Sequence, residues 1–567
     1  MRQLQALDWG IVVAYVALAL AVGVFFTRRA SRSVDEFFVS GRSLPWWLAG
    51  TSMAATNFSI DTPVAISGLV AKEGVAGVWF FWSSGIAAVL ATFFFARLWR
   101  RASVLTDAEI IELRYSGRPA ALLRLVKGIY FGVLINAFVL GWVMTAMLKV
   151  MGEVTDLDRL SILVIFVGIA LFYTLLSGFW GVVVTDLVQY VVALAGSIAV
   201  AVYAVRAAGG LTAMTARVAE RFPHGGVTDF VPRFGEGEGW MPLSVFLVYT
   251  LLQWWAHKYA DGGGKTIQRM LAARDERQAV LATLWFALAN YALQVWPWIL
   301  TALAALARWG RLADPEAAYP RMMTDVLPTG LLGLATVALL GAFMSTVDTH
   351  LNLGGSYIIN DLYRRFLVRG AAEAHYVRAS RLSMLVIMVI ACLIGWQITS
   401  VGRAWKLVLA FVAGAGPTFI VRWFWWRANA WTELSALLAS GVIAISLELA
   451  APSLLYSFRL IIVVGLSAAV WLPATFLTAP VSEERLVEFL RRVRPGSPGW
   501  SALARRHGIV QEPFVRRAAL RWLAGCGVLF GLCFGLGHLL VGSSPAGLGL
   551  MAGGAALLVW LLRDVGR

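Results

Sequence analysis

Apolar runs of about 18 to 28 residues recur from one end of this chain to the other, and each is long enough to cross a hydrocarbon core of ~30 Å at ~1.5 Å per helical residue. Lipid offers a bare backbone no hydrogen bonds, so runs of this kind fold as helices. The spans read as 8–27, 46–71, 76–99, 123–151, 160–178, 180–206, 241–257, 278–308, 331–358, 382–400, 404–422, 431–450, 457–477, 519–541 and 547–564. That is an all-α polytopic membrane protein of about fifteen transmembrane helices. The charged share is 14% and mean hydropathy is +0.74, against about 25% charged in soluble domains. A soluble enzyme is excluded. The first run has Asp8 near its start and Arg28 and Arg29 at its end, the reverse of a secretory signal.

The formal charge of +16 is not a nucleic-acid footprint, because the Arg and Lys residues sit in alternate loops. With the N-terminus outside, the inner loops carry Arg28, Arg29 and Arg32; Arg97, Arg100, Arg101, Arg114 and Arg118; Lys258, Lys265, Arg269 and Arg274; Arg364, Arg365 and Arg369; Arg491, Arg492 and Arg494. The C-terminus is then cytoplasmic, and a multi-pass protein of the inner or plasma membrane is expected. The stretch from Arg206 to Trp240 is placed outside despite Arg217, Arg221 and Arg233; it is long and mixed with acidic residues, so it weighs less. Cys392, Cys526 and Cys533 have no ligand-like spacing. The six His residues are scattered, so neither a metal centre nor a membrane-embedded enzyme is expected.

Five spans over 46–206 and five over 241–422, separated by a loop at 207–240, give two halves with an odd number of helices each. Their topologies are therefore opposite, the inverted-repeat plan of many secondary transporters. One helix and a cytoplasmic loop (1–45) precede this core. Two further helices (423–477), a basic cytoplasmic linker (478–518) and a helical hairpin (519–567) follow it.

Within the second span, Asn57, Ser59, Asp61, Thr62 and Pro63 stand at membrane depth. Proline removes a donor and disfavours a helical residue before it, so a break is expected whose carbonyls suit a hard cation. A kinked helix whose hydroxyls bond their own backbone is the other reading. An ionised Asp61 needs a partner there: a cation, a substrate amine, a proton or a basic side chain. In the ninth span Ser345, Asp348, Thr349 and Asn352 recur at three- and four-residue spacing, a polar stripe that must face protein or water. His350 reads either as a proton carrier or as an interfacial residue near a helix end. A tight turn is expected at Ser177–Gly181, and Asp186 after it reads as an ion-exit carboxylate or a helix cap. Gly262, Gly263 and Gly264 lack phosphate-loop spacing.

On these residues the chain, from about 8 to 477, resembles the sodium:solute symporter family, which includes bacterial proline, pantothenate, sialic acid and galactose transporters and animal sodium/glucose cotransporters. The motifs are Phe38 to Pro45, Trp180-Gly181 through Gln189, Ile267-Gln268-Arg269-Met270-Leu271, and Phe343 to Asp348 continuing to Arg365. The resemblance implies a leucine-transporter-type fold of five plus five inverted helices, alternating access, and Na⁺ as coupling ion. It implies a sodium site on the carbonyls of Ala55, Phe58 and Ala342 and the hydroxyls of Ser345 and Thr346, where the first and eighth core helices break. Asp186 matches a carboxylate of ion passage and Tyr259 an inner-gate tyrosine. Sugar-transporting members carry a glutamate where this chain has Phe81 and a basic residue where it has Asn290, so a galactose-like solute is not expected. Asn57, Ser59, Asp61, Thr62 and Ser84 remain as lining, in a pocket walled by Trp79, Phe81 and Trp82, with Asp61 suited to an amine. The expected function is sodium-coupled symport of a small organic solute by a single-chain unit, with no cofactor but the coupling ion. A proton-coupled carrier of the same fold is the alternative. A transporter-like sensor is the third reading, although no signalling domain follows the core.

Overall fold

The computed structural model describes residues 3–30, 43–104, 108–223, 225–232, 240–258, 260–512 and 514–566, and its regular elements there are helical. The first half of the chain runs through α1 (Ala6–Ala30), α2 (Trp46–Asn57), α3 (Asp61–Glu73), α4 (Val75–Ala102), α5 (Ile110–Arg114), α6 (Gly117–Val154), α7 (Arg159–Leu175), α8 (Thr185–Ala207) and α9 (Leu211–Arg221). Then come α10 (Leu243–Gln253), α11 (Lys265–Ala272), α12 (Glu276–Trp309), α13 (Ala318–Val326), α14 (Leu331–Leu367), α15 (Glu373–Gln397), α16 (Val401–Ala413) and α17 (Gly416–Phe424). The remainder holds α18 (Ala430–Ala450), α19 (Tyr456–Leu477), α20 (Glu483–Val493), α21 (Ser501–Arg506), α22 (Val515–Val541) and α23 (Ser544–Gly566). Among the described residues ten helices are long and apolar enough to cross a membrane, eleven if the bent pair α16–α17 is one span. Burial sorts them: 89% of the apolar window of α14 is buried but 17% of that of α23, so α14 is central and α23 is peripheral.

The expected break in the second span is present, between α2 and α3. Phe58 to Ile60 are not helical, and the freed groups are re-satisfied locally: Thr62 Oγ1 donates to the Asn57 carbonyl (3.0 Å) and Asn57 Nδ2 to the Met53 carbonyl (3.0 Å). Pro63 falls in the first turn of α3, where a missing N–H costs nothing. A second break separates α10 from α11. Gly262 (φ +80°) and Gly264 (φ +71°) take backbone angles that a side chain disfavours, and this is what the glycine triplet supplies.

The eighth core helix, by contrast, is not broken. α14 runs continuously through Gly341–Asn352, which corrects the expectation drawn for it. Its polar side chains bond back along the helix, Thr346 Oγ1 to the Ala342 carbonyl (3.1 Å) and Asn352 Nδ2 to the Asp348 carbonyl (2.9 Å). They also bond sideways, Thr174 on α7 to Asp348 and Asn136 on α6 to His350. A stripe satisfied in this way has no reason to unwind. His350 is buried in mid-helix, not near an end.

Helical backbone continues from α7 into α8, and Tyr173 Oη and Thr185 Oγ1 are 2.7 Å apart. The tight turn expected at Ser177–Gly181 falls on residues that lie outside those described with their side chains. The 478–514 segment is more than a linker. α20 buries Leu486, Phe489 and Leu490, Trp500 stacks on Phe489, and the Trp500 indole donates to the Trp423 carbonyl at the end of α17 (2.8 Å). The guanidinium of Arg114 lies 4.8 Å from the Trp500 ring. In the terminal hairpin Asp564 of α23 binds Arg517 and Arg521 of α22. α22 packs on α4 and α12 through Trp522 Nε1 to the Ile86 carbonyl and Trp296 Nε1 to the Cys533 carbonyl.

Candidate functional site

Four elements converge where α2 ends. Thr346 on α14 reaches the Thr56 carbonyl at the end of α2 (3.4 Å) while bonding the Ala342 carbonyl, and Thr56 Oγ1 is 3.3 Å from Thr349 Oγ1. Ala55, Phe58, Ala342, Ser345 and Thr346 are all buried in this seam. The groups on offer are carbonyls and hydroxyls, the donor set a small hard cation takes.

Beside it lies a charged network. The Asp186 carboxylate on α8 accepts from Ser52 Oγ on α2 (2.5 Å) and Ser345 Oγ on α14 (2.5 Å), and sits 3.4 Å from Arg269 Nη2 on α11. Arg269 also donates to Ser52 (3.2 Å), Thr56 (3.1 Å) and Thr349 (2.9 Å). Both ends of the pair are fully buried. Ser52, Thr56 and Arg269 of this seam were not among the expected site residues. Arg269 was read as a basic residue of an inner loop and as part of a motif, whereas its side chain is drawn into the bundle and buried, and nothing local to it in the sequence says so.

A cavity of about 190 Å³ adjoins the α2–α3 break, between α2, α4, α6, α12, α14, α16 and the unwound stretch after α10. Of the expected lining, Asn57, Phe81 and Ser84 are on its wall. The others are placed elsewhere. Asp61 is buried and accepts the indole N–H of Trp405 (3.0 Å), so Trp405, not the carboxylate, lines the cavity. Thr62 is turned onto the Asn57 carbonyl, and Asn290 accepts from Gln294 (2.5 Å) one turn on. Ser59 is buried, and its hydroxyl has no partner among the described residues. Tyr259 lies outside the described residues.

Trp79 and Trp82 are not cavity walls. Their rings pack on Phe530 and Phe534 of α22, a face of α4 whose partner comes from the C-terminal hairpin. Lys258 and His350 line the cavity instead, and both also line a smaller neighbour of about 20 Å³ with Lys127, Asp261 and Arg422. There Arg422 pairs with Asp261 and Glu433, and Lys127 with Glu433.

Comparisons with known proteins agree with this architecture. A Na⁺-coupled sialic acid symporter, solved in a substrate-bound outward-open state, superposes with a TM-score of 0.69 over 84% of this chain and 99% of that one, at 18% identity. The two share a fold. In sequence, the chain is 24% identical over 479 residues to the sodium/glucose cotransporter of Vibrio parahaemolyticus, covering 78% of this chain and 86% of the relative. It is 23% identical to sodium/glucose cotransporter 4 of Danio rerio, covering 85% and 80%. The model of the sodium:solute symporter family matches residues 37–440, which span both broken helices, Asp186, Arg269 and the whole of α14. The chain belongs to the sodium:solute symporter family.

Proposed function

We propose that this protein is a secondary active transporter that couples entry of Na⁺ to symport of a small organic solute by alternating access. The observation that carries the reading is the meeting of the end of α2 with the Thr346 hydroxyl of α14, with the Ser345 hydroxyl next to it on Asp186, beside a cavity sized for a small molecule. Na⁺ sits on the carbonyls of Ala55, Phe58 and Ala342 and those two hydroxyls, and leaves past Asp186. Each inward Na⁺ gains ~2.3 kcal/mol per 100 mV of membrane potential. The core consists of two inverted halves, 46–206 and 241–422. The N-terminus is outside and the C-terminus cytoplasmic, because one orientation puts nearly all basic loops and the 478–514 segment on one side. The functional unit is one chain in the cell membrane. In the proton-coupled alternative the carriers would be Asp61, Asp186 or His350, and each is already engaged: Asp61 by Trp405, Asp186 by two serines and Arg269, His350 by Asn136.

The test is binding of radioactive Na⁺ to purified protein, with thermal stability measured in Na⁺ against choline. Thr346→Ala and Ser345→Ala are expected to weaken Na⁺ binding at least about tenfold, the scale seen when groups around a bound metal are removed. Stability and Na⁺ retention identical in both salts would refute the reading.

A further inference from the structure

Part of the solute cavity's wall is not helical. His257, Lys258 and Gly262, from the stretch between α10 and α11, line it. A stretch without a helical ladder is placed by what other elements lend it. At Asp261 the loans come from two sides. Its carboxylate accepts from Arg422 and from the Trp423 indole (2.9 Å), both on α17, and its carbonyl accepts the Trp99 indole N–H of α4 (2.8 Å). The Trp99 and Trp423 rings also meet edge to face at 4.8 Å.

α17 in turn is not closed by its own chain. It ends at Phe424 with Trp425 extended, so no left-handed residue returns backbone N–H groups to the carbonyls beyond Val421. The carbonyls of Arg422, Trp423 and Phe424 are taken by side chains from elsewhere: Arg114 Nε of α5 (2.8 Å), the Trp500 indole (2.8 Å) and Ser497 Oγ (2.9 Å). Two of these three donors belong to the 478–514 segment. Its rings complete the fit. Phe489 lies 6.0 Å from Trp423 and stacks on Trp500, and the Arg114 guanidinium lies against both Phe489 and Trp500. A buried carbonyl left without a donor is costly. Withdrawal of Trp500 therefore favours unwinding of α17 from its end, back through the two residues that hold Asp261.

We infer that Trp500 is a positioning residue for the solute cavity: it caps α17 and, through Trp423 and Asp261, holds the non-helical stretch in the cavity wall. The inference rests on the symporter reading in taking that cavity as the solute's. The 478–514 segment thereby sets how readily the cavity opens past α17.

The experiment is alkylation of Thr266→Cys, a position on the cavity wall, by N-ethylmaleimide in the full-length protein in detergent. The rate at each cysteine is read by peptide mass spectrometry, and native Cys533, fully buried on α22, reports general loosening. Trp500→Ala is expected to speed modification at position 266 about tenfold, the scale of one lost buried hydrogen bond, and to change Cys533 by less than about twofold. Trp500→Phe keeps a ring against Phe489 and Arg114 but has no N–H. It is expected to speed modification at least about threefold, and it serves should Trp500→Ala fail to fold. Asp261→Asn is expected to act in the same direction, and adding Trp500→Ala to it to gain less than about threefold more, since the two lie on one chain of contacts. An unchanged rate at position 266 in both Trp500 variants would overturn the inference. So would a parallel rise at Cys533, or effects of Trp500→Ala and Asp261→Asn that multiply in full. The assay uses neither Na⁺ nor solute, so its failure would leave the symport reading standing; failure of Na⁺ binding would sink that reading and leave the contacts at α17 untouched.

Discussion

Removing one end of the Asp186–Arg269 pair is expected to destabilise the protein far more than removing both. The two groups are fully buried with Nη2 and Oδ2 3.4 Å apart. At an effective dielectric of about 20 their attraction is about 5 kcal/mol, and breaking a buried pair from one side costs about 3–5 kcal/mol because the other charge is stranded. Asp186→Asn leaves the guanidinium facing Ser52, Thr56 and Thr349 with no counter-charge; Arg269→Met leaves a carboxylate with two serine donors. The double variant strands no charge, and such replacements are often near neutral. The assay is the half-life of tryptophan-detected folding at one elevated temperature, in choline so that Na⁺ cannot compensate. A loss of about 3 kcal/mol appears as roughly a hundredfold shorter half-life when the pair is lost before the unfolding transition state. Each single variant should show this, and the double variant should recover by at least about 2 kcal/mol over additivity. Single losses that simply add in the double variant, within about 0.5 kcal/mol, would refute the reasoning.

Gly499→Ala is expected to cost at least about 1–3 kcal/mol, because a Cβ there would lie 2.0 Å from the Phe424 carbonyl; Gly465→Ala on α19, with nothing within 4 Å, should be neutral or stabilising in the same thermal assay. Trp500→Ala removes the donor to Trp423 and the ring against Arg114, so trypsin should cut the 478–514 segment at least about tenfold faster, with unchanged cleavage counting against its docking. Burial pushes the Glu112 carboxyl up, but Arg124 and Arg365 outweigh it and hold the group below its ordinary value of 4.5. Its stabilising contribution is therefore complete above about pH 4.5 and fades as pH falls through the lowered value. Glu112→Gln should flatten the acid side of the stability profile, and a profile identical to the unsubstituted protein would exclude the contribution.

Helix positions were largely legible, because most expected spans lie within a few residues of a helix; their number as membrane spans was not, since ten helices among the described residues, against about fifteen expected, are long and apolar enough to cross. Where a boundary moved, charge was the cause: the span expected at 382–400 begins at Glu373, since Arg378 and Arg381 extend the helix beyond its apolar stretch. The α2–α3 break was legible as polar residues with a proline at membrane depth. The α10–α11 break was not, because Gly262 and Gly264 mark only a loop until their positive φ values place it inside a helix pair.

The misreading of α14 has a physical lesson for polar stripes in membrane helices. Hydrophilic residues say that a face must be satisfied, and they leave open whether the backbone or the neighbouring helices do so. In α3 the neighbour Trp405 reaches Asp61, yet the preceding turn is unwound; in α14 Asn136, Thr174 and Asp186 reach His350, Asp348 and Ser345, and the helix continues. The difference lies in the chain itself. Pro63 cannot donate to the turn before it, whereas residues 341–352 contain no proline and retain every backbone donor. The proposed site thus combines a helix end that can lend carbonyls with a continuous helix that lends the Ser345 and Thr346 hydroxyls and the Ala342 carbonyl to which Thr346 already bonds. In the proposed Na⁺ site the hydroxyls of Ser345 and Thr346 serve on α14 as bare carbonyls serve on α2, so alanine at these two positions is expected to remove ligands that no unwinding of α14 replaces.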